Sequence, residues 1–458
     1  MNSMSTIKQN KSTKRNVVLL TMLLLFCMVL SSGCTFELPT PESLITTPES
    51  NQEQLKQKQI IANFLESKES LIVPGGIGAG TAYQLMNLDK DKEEELVAFY
   101  ANKESDFVLG FMILDLRDGQ WHMNHKVVAY GTGIDYFRIQ DLDGDGYQEF
   151  LLGVRTGYGS MKELYLYHLE DNKLVHITDD DRIAYDRILL AEQENGETIL
   201  ITASTDTTVM VGSSNIIVYQ YKNQNVGLIY EDTFEGYCSE MHFAKVNANT
   251  EGIYLAMRYN HYVNMLLLSK TPTGFYIVLE HSMPYDYEEM KNIALFGDVD
   301  EDGILEINSL WEPENNWSNR PYRDFVHVWL QWDGRDGLNA IDAIMEHSAD
   351  GYQFRIPIAW MNYLYYDFYT ENDIAWTEFY CYEEEKRSFE TAFAIAAVDQ
   401  LTWNNISDSV ADTVVVLGNN PTLNKVYIAD LQMQEINGEE LNTGRLISCL
   451  RIEGGEQT

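Results

Sequence analysis

The chain has 458 residues, room for two or three domains at roughly 100–200 residues each, and 45% of them are apolar and 12% aromatic. A sizeable core can form, so wholesale disorder is excluded. The 70 Asp and Glu residues against 32 Lys and Arg give a net charge of −38. That balance excludes a general nucleic-acid binder, because phosphate recognition needs clustered cations.

The first 33 residues read as an address. Lys8, Lys11, Lys14 and Arg15 form a basic segment, and residues 17–30 follow without a charge. About 20 apolar residues span a bilayer core, so this shorter run fits the apolar part of a signal peptide. It ends in Leu30-Ser31-Ser32-Gly33-Cys34. Small residues directly before a cysteine resemble the lipobox of bacterial lipoproteins, with Ser31 standing where that family usually has Leu. The resemblance implies a lipid on Cys34 and attachment to the outer face of the cell membrane. An ordinary secretory signal, or an uncleaved anchor, is the competing reading. Residues 34–70, with Pro39, Pro41 and Pro48 among Ser, Thr and Glu, are expected to be a tether. Cys238, Cys381 and Cys449 are too widely spaced for a zinc motif and read as buried apolar residues.

Residues 71–348 carry a repeat. NLDKDKEEELVAF begins at Asn87, DLDGDGYQEFLLG at Asp141 and DVDEDGILEINSL at Asp298. Each has oxygen-bearing side chains at positions 1, 3 and 5, Glu at position 9, and apolar residues after it. Two weaker copies, AEQENGETILI from Ala191 and KVNANTEGIYL from Lys245, fill the gap, giving spacings of 54, 50, 54 and 53 residues. Four short β-rich runs lie within each clear unit. A period in the forties to fifties with that content predicts the blades of a β-propeller. Stacking blades buries the two apolar faces that each exposes alone. The expectation is five to seven four-stranded blades, with Leu71-Ile72-Val73 available as a closing strand.

Alternating oxygen ligands in a tight turn converge on one point, and Ca²⁺ accepts six to eight oxygens. The candidate ligands are Asp141, Asp143, Asp145, the Tyr147 carbonyl and Glu149 in the second unit. In the fifth they are Asp298, Asp300, Asp302, the Ile304 carbonyl and Glu306. The first unit offers Asn87, Asp89, Asp91 and Glu95, with Lys90 and Lys92 intruding, and is expected to bind more weakly. An EF-hand would need Glu at position 12, where Leu152 and Ser309 stand, so that motif is excluded. The loops resemble the FG-GAP or VCBS-type repeats of integrin-like β-propellers. That resemblance implies a stabilising Ca²⁺ between the first two strands of a blade. The third and fourth units, with Ala191, Gln193 and Lys245 in ligand positions, are expected to hold no metal. Solvated acidic turns that never meet a cation are the competing reading.

Residues 349–458 break the period and read as a small α+β domain. Its GYQFRIPIAW opening, from Gly351, resembles PsbP-like or Mog1-like domains of secreted bacterial proteins. No HExxH, GxSxG, Walker or GxGxxG motif is present, so no catalytic residue and no nucleotide site are assigned. The expected function is a surface-exposed, calcium-stabilised binding module for a protein or an envelope polysaccharide. An envelope polysaccharide-active enzyme with a carboxylate pair at the propeller mouth is the alternative.

Overall fold

Ile199, Leu200 and Ile201 are consecutive, all buried, and belong to two different cores. Successive strand residues point to opposite faces, so a strand buried on both sides reads as an unbroken apolar run. The computed structural model is built from such strands. It describes residues 49–458 except 76–79, 90–91, 106, 158–161, 179–181, 207, 209–211, 285–292, 312–325, 336, 348–349, 373, 384–386, 454–455 and 458. The leader, the Cys34 site and the first part of the tether lie outside the described residues.

Two compact units divide the chain, Met1–Glu66 and Ser67–Thr458. In the first, helix α1 (Glu49–Ala62) occupies part of the expected tether. The reason is local: after Pro48 the sequence is rich in Gln, Glu and Lys and has neither Pro nor Gly to stop a helix. Among the described residues no helix is long and apolar enough to cross a membrane.

The second unit is mainly β, its strand pairs are antiparallel, and most neighbouring strands are consecutive in the chain, with crossovers in the last two sheets. Sheet 1 holds β1 (Glu69–Leu71), β2 (Tyr83–Met86), β3 (Glu95–Asn102), β4 (Val108–Arg117) and β5 (Gln120–Tyr130). Sheet 2 holds β6 (Gly133–Gln140), β7 (Gln148–Arg155), β8 (Lys162–Glu170), β9 (Lys173–His176) and β10 (Ile183–Tyr185). In each, two short strands share one neighbour: β1 and β2 pair with β3, and β9 and β10 pair with β8. The segment expected to close a ring is thus, from Glu69 to Leu71, an edge of sheet 1 itself, with Leu71 opposite Tyr100.

Sheet 3 is β11 (Arg187–Glu192), β12 (Thr198–Asp206), β13 (Ser213–Lys222) and β14 (Asn225–Glu235). Sheet 4 is β15 (Tyr237–Asn247), β16 (Thr250–Tyr259), β17 (Tyr262–Thr271) and β18 (Gly274–Pro284). These are the two weak repeat copies, and both form complete four-stranded sheets.

Sheet 5 contains β19 (Phe296–Gly297), β20 (Glu306–Trp311), β21 (Val326–Trp332), β22 (Leu338–His347) and β23 (Tyr352–Arg355), and then β31 (Leu450–Ile452). Sheet 6 contains β24 (Leu364–Glu371), β25 (Ile374–Glu383), β26 (Ser388–Asp399), β27 (Val414–Asn420), β28 (Lys425–Leu431) and β32 (Glu456–Gln457). Helices α2 (Ile358–Met361), α3 (Gln400–Ile406) and α4 (Thr443–Cys449), and a small hairpin of β29 (Glu435–Ile436) and β30 (Glu439–Glu440), complete the C-terminal part. The boundary expected after residue 348 falls between β22 and β23, which hydrogen-bond to each other over Ile344–His347.

Each sheet packs face to face on the next. Phe99 and Phe111 of sheet 1 meet Phe137 and Phe150 of sheet 2, with Phe99 edge-on to Phe137 at 4.6 Å and Phe111 parallel to Phe150 at 5.5 Å. Leu200 and Tyr221 join sheet 3 to sheet 2, while Ile199, Ile201 and Val218 join it to Ile253 and Leu255 of sheet 4. Tyr254 and Leu267 of sheet 4 pack with Ile307 and Trp332 of sheet 5. Val326, Met345 and Phe354 of sheet 5 pack with Tyr366, Phe379 and Phe393 of sheet 6. This succession of antiparallel sheets, sheets 3 and 4 with four strands and the others with five or six, is a β-propeller-like arrangement. On the other side of sheet 6, Val398, Val426 and Ile428 pack against Trp403 and Ile406 of α3, so a helix covers that patch. Cys238, Cys381 and Cys449 are buried, and burial pushes the Cys238 thiol up to about 12.

Candidate metal loops

The three acidic turns share one hydrogen-bonding plan. The second and fifth connect the first two strands of their sheets and the first connects β2 to β3, and in each the position-9 Glu is buried and reaches back to the N–H of position 2. Glu95 accepts from Leu88 at 2.5 Å, Glu149 from Leu142 at 2.8 Å and Glu306 from Val299 at 2.8 Å. The position-1 carboxylate accepts from position 6: Asp141 from Gly146 at 2.8 Å, and Asp298 from Gly303 at 3.1 Å. The position-5 carboxylate accepts from position 7, Asp145 from Tyr147 and Asp302 from Ile304, at 2.8 Å each.

Folding the turn so tightly needs positive φ at positions 4 and 6. Gly144 and Gly146 supply +74° and +90° in the second loop; Glu301 and Gly303 supply +63° and +84° in the fifth. Glycine adopts this region freely, whereas Glu301 enters it against the clash of its own Cβ.

The plan brings carboxylates together. One oxygen each from Asp141, Asp143 and Glu149 lies within 4.8 Å of the others, and the same holds for Asp298, Asp300 and Asp302. Oxygens sharing one Ca²⁺ at about 2.3–2.6 Å fall within such a span. In the second loop Asp145 stands outside the triplet; in the fifth, Glu306 does. Asp143 adds a sharper sign: its Oδ1 is buried and has no hydrogen-bond partner. A buried acceptor left without a donor is costly, and a cation would satisfy it. The donor set is hard oxygen throughout, which suits Ca²⁺ or Mg²⁺ and not a soft metal.

The first loop is described only in part. Asn87 and Asp89 are in place, Asp91 is outside the described residues, and the Glu95 Oε1 is buried with no hydrogen-bond partner. Asp115, itself buried, faces Glu95 from β4.

Burial raises the position-9 carboxyls above the ordinary Glu value, and acidic neighbours add to the rise. For Glu149 the result is about 7, with burial opposed by the Leu142 N–H and by His168 while Asp143 pushes further up. For Glu95 burial is joined by Asp89 and Asp115, and for Glu306 by Asp300 and Asp302. Crowded carboxylates resist sharing negative charge, and a divalent ion reverses that balance.

Sequence reasoning missed the partners these Glu residues find on the third strand. His168 Nδ1 lies 2.6 Å from Glu149 Oε1 and 3.1 Å from the Tyr221 hydroxyl of sheet 3, all three residues being buried. In the fifth loop Gln331 donates to Glu306 and to Asp302, both at 3.0 Å. The only signal was cross-strand register, which no local motif reveals. The third- and fourth-unit turns lack the carboxylate triplet. Glu194 there accepts a salt bridge from Lys245 at 3.1 Å, and its N–H donates to Glu251 at 2.9 Å.

The acidic loops also sit at the seams between sheets. Asp143 of sheet 2 accepts the N–H of Asn223 from the β13–β14 turn of sheet 3. Ile304 bridges in parallel to Lys245 of sheet 4. Leu88 and Asp89 share a cavity of about 210 Å³ with Tyr147, Asp171 and Asn172 of sheet 2.

No family model and no curated protein matches the chain. Solved structures similar to it include an exotype rhamnogalacturonan lyase, YesX, at 12% identity over 79% of this chain and 75% of that one, with a TM-score of 0.27. A protein from Lactobacillus plantarum matches at 12% identity over 67% and 82%, also at 0.27. Sqt1 of Saccharomyces cerevisiae matches at 9% identity over 79% and 95%, at 0.29. Likenesses this slight say nothing about activity.

Proposed function

We propose that the chain is a membrane-anchored lipoprotein, lipidated at Cys34 and displayed outside the cell. Its sheets form a calcium-stabilised β-propeller of the FG-GAP or VCBS kind that binds a protein or an envelope polysaccharide. The observation that carries the calcium reading is the carboxylate triplet of the second loop, with the Asp143 oxygen buried and unsatisfied. The metal would be held by Asp141, Asp143, Glu149 and the Tyr147 carbonyl, and by Asp298, Asp300, Asp302 and the Ile304 carbonyl. Bound there, it supplies charge neutralisation and rigidity at the seams. No catalytic step is assigned to it.

Extracellular calcium modules bind at about 10⁻⁴–10⁻³ M, concentrations met outside a cell. The test is a pair of measurements on the same protein. Calcium titration followed by calorimetry should show saturable binding that Asp143→Asn and Asp300→Asn reduce. Pull-down from envelope extracts in calcium should retain a partner that chelator releases. Absence of calcium binding would overturn the metal reading.

A further inference from the structure

The residue at position 9 of each unit has one direct neighbour across the ladder on the following strand, and the five units differ there in a regular way. In the second unit Glu149 faces His168. In the fifth, Ile307 pairs with Leu330, which sets Glu306 opposite Gln331. In the first, Leu96 pairs with Leu114, which sets Glu95 opposite Asp115. Where the acidic pattern is lost, Ile199 faces Gln220 and Ile253 faces Leu268.

Two of these neighbours give a hydrogen to the glutamate. Glu149 uses Oε2 for the Leu142 N–H and Oε1 for His168 Nδ1, 2.6 Å away, and both side chains are fully buried. An ionised carboxylate only accepts, so the imidazole hydrogen then stands on Nδ1. Glu306 repeats the plan, with Oε2 on the Val299 N–H and Oε1 on the Gln331 amide. The same amide gives its other hydrogen to Asp302 Oδ2, which ties Glu306 to the Asp298–Asp300–Asp302 triplet. Asp115, when ionised, has no hydrogen to give, and Glu95 Oε1 is buried with no hydrogen-bond partner. In sheet 3 Gln220 turns to Glu197 instead, at 2.6 Å, and in sheet 4 the pair is apolar. A donor to position 9 is thus found beside the two complete carboxylate loops, on a strand the loop motif does not include.

We infer that His168 and Gln331 are positioning residues for the two candidate calcium sites, each fixing the glutamate opposite it toward its loop before the ion arrives. The inference rests on the calcium reading and adds the residues that set its strength. Each carboxylate oxygen keeps a second lone pair for the ion. A Glu side chain free to rotate loses entropy when an ion fixes it, and one already held loses less. Partners that orient a metal ligand change metal affinity by about 10–100-fold. The first loop, whose Glu95 lacks such a donor, is then the weakest of the three.

The experiment uses the full chain with Ca²⁺ itself as the probe and one loop weakened at a time: Asp300→Asn leaves the second loop, and Asp143→Asn leaves the fifth. Calorimetry gives the affinity of the stronger site that remains, and melting in chelator reports the fold without metal. In these parents His168→Leu and Gln331→Leu should each weaken calcium binding about tenfold or more. The exchanged donors, His168→Gln and Gln331→His, should recover most of that loss. A role confined to packing predicts the reverse, lower melting in chelator with affinity unchanged. Gln331 is only half-buried, so its replacement tests the inference even if the His168→Leu protein does not fold. Unchanged affinity in a folded Gln331→Leu protein, or exchanged donors as weak as Leu, would overturn the inference and leave the calcium sites standing. Absence of calcium binding in both parents would overturn the calcium reading and this inference with it.

Discussion

Asp143 Oδ2 accepts the backbone N–H of Asn223 at 2.9 Å, across 80 residues of sequence. The bond joins the acidic turn of sheet 2 to a hairpin turn of sheet 3, while the other Asp143 oxygen is buried without a hydrogen-bond partner and the carboxylate has an oxygen within 4.8 Å of oxygens of Asp141 and Glu149. One side chain therefore links a seam between sheets to a candidate cation position. Ordering that side chain stiffens two sheets at once.

The consequence can be measured with Asp143→Ala and Asp300→Ala. In chelator, losing the Asp143–Asn223 hydrogen bond should cost about 1 kcal/mol. In millimolar calcium both variants should lose more, because binding to the native state alone adds stability in proportion to RT ln(1 + [L]/Kd). Wild type should melt at higher temperature in calcium than in chelator, and the gap should shrink in each variant. Equal losses with and without calcium would reject the metal.

The fifth loop carries a local strain that the second does not. Position 4 is Gly144 in one and Glu301 in the other, both at positive φ. Glu301→Gly removes a left-handed penalty of about 1–2 kcal/mol, partly offset by added freedom in the unfolded chain. It should raise the urea midpoint. Gly303→Ala should lower it through φ alone, since a Cβ there meets nothing within 4 Å. A neutral result for Gly303→Ala would mean the turn relaxes.

Much of this was legible beforehand, and the rest hid for physical reasons. The acidic turns announced themselves because Asp, Gly and Glu at fixed spacing serve the turn and also form the candidate ligand set. The two degraded copies were found from spacing and became sheets 3 and 4, since the pattern that survives in them, a polar turn before an apolar strand, is the part the fold needs. What stayed hidden was register. Glu149 beside His168, and Glu306 beside Gln331, follow from how β7 pairs with β8 and β20 with β21. The C-terminal return of β31 onto β23 is likewise a pairing of residues nearly 100 positions apart, with no local signature.

Two half-buried histidines contribute a loss of stability on acidification. Burial holds His281 and His327 below the ordinary value of 6.5, with Glu346 opposing the effect at His327. Their folded pKa is lowered, so the unfolded chain binds more protons as pH falls. Stability is then full above about pH 6.5 and declines as pH drops through that value toward the folded one. His281 lies 2.7 Å from the Ser309 hydroxyl, joining β18 of sheet 4 to β20 of sheet 5. Glu149, Glu95 and Glu306, with raised folded values, act in the opposite direction, so the histidine contribution is read as a difference. From pH 7.5 to 5.5 the urea midpoint of wild type should drop more, or rise less, than that of His281→Gln with His327→Gln. An unchanged difference would place the pH sensitivity elsewhere.

Asp135 acts in a lower window. Burial opposes its ionisation, but hydrogen bonds from Lys162 and Arg155 more than offset that and leave its carboxyl below the usual value. Lys162 and Arg155 sit 2.9 and 3.0 Å from its two oxygens. The stabilisation is present above about pH 4, the unfolded value, and disappears as pH falls through the folded one. Asp135→Asn should cost stability at pH 7 and make the remaining acid-unfolding curve shallower below pH 4.

The C-terminal region offers the most direct test of how the chain divides. Tyr352–Phe354 pair with Leu450–Ile452, and Val326, Val328, Ala343 and Met345 of sheet 5 are buried against Tyr366, Phe379 and Phe393 of sheet 6. A chain ending at residue 348 would lose β23 and β31 from sheet 5 and expose that apolar face to water. Exposed apolar surface of this kind drives association, and the fifth sheet would end on an unpaired β22 edge. The truncated protein should therefore aggregate or unfold without a cooperative transition. The protein ending at Thr458 should melt with sheets 5 and 6 in one step, read by Trp fluorescence from Trp332 and Trp360. A soluble, cooperatively folding 67–348 fragment would show that the sixth sheet is an independent domain after all.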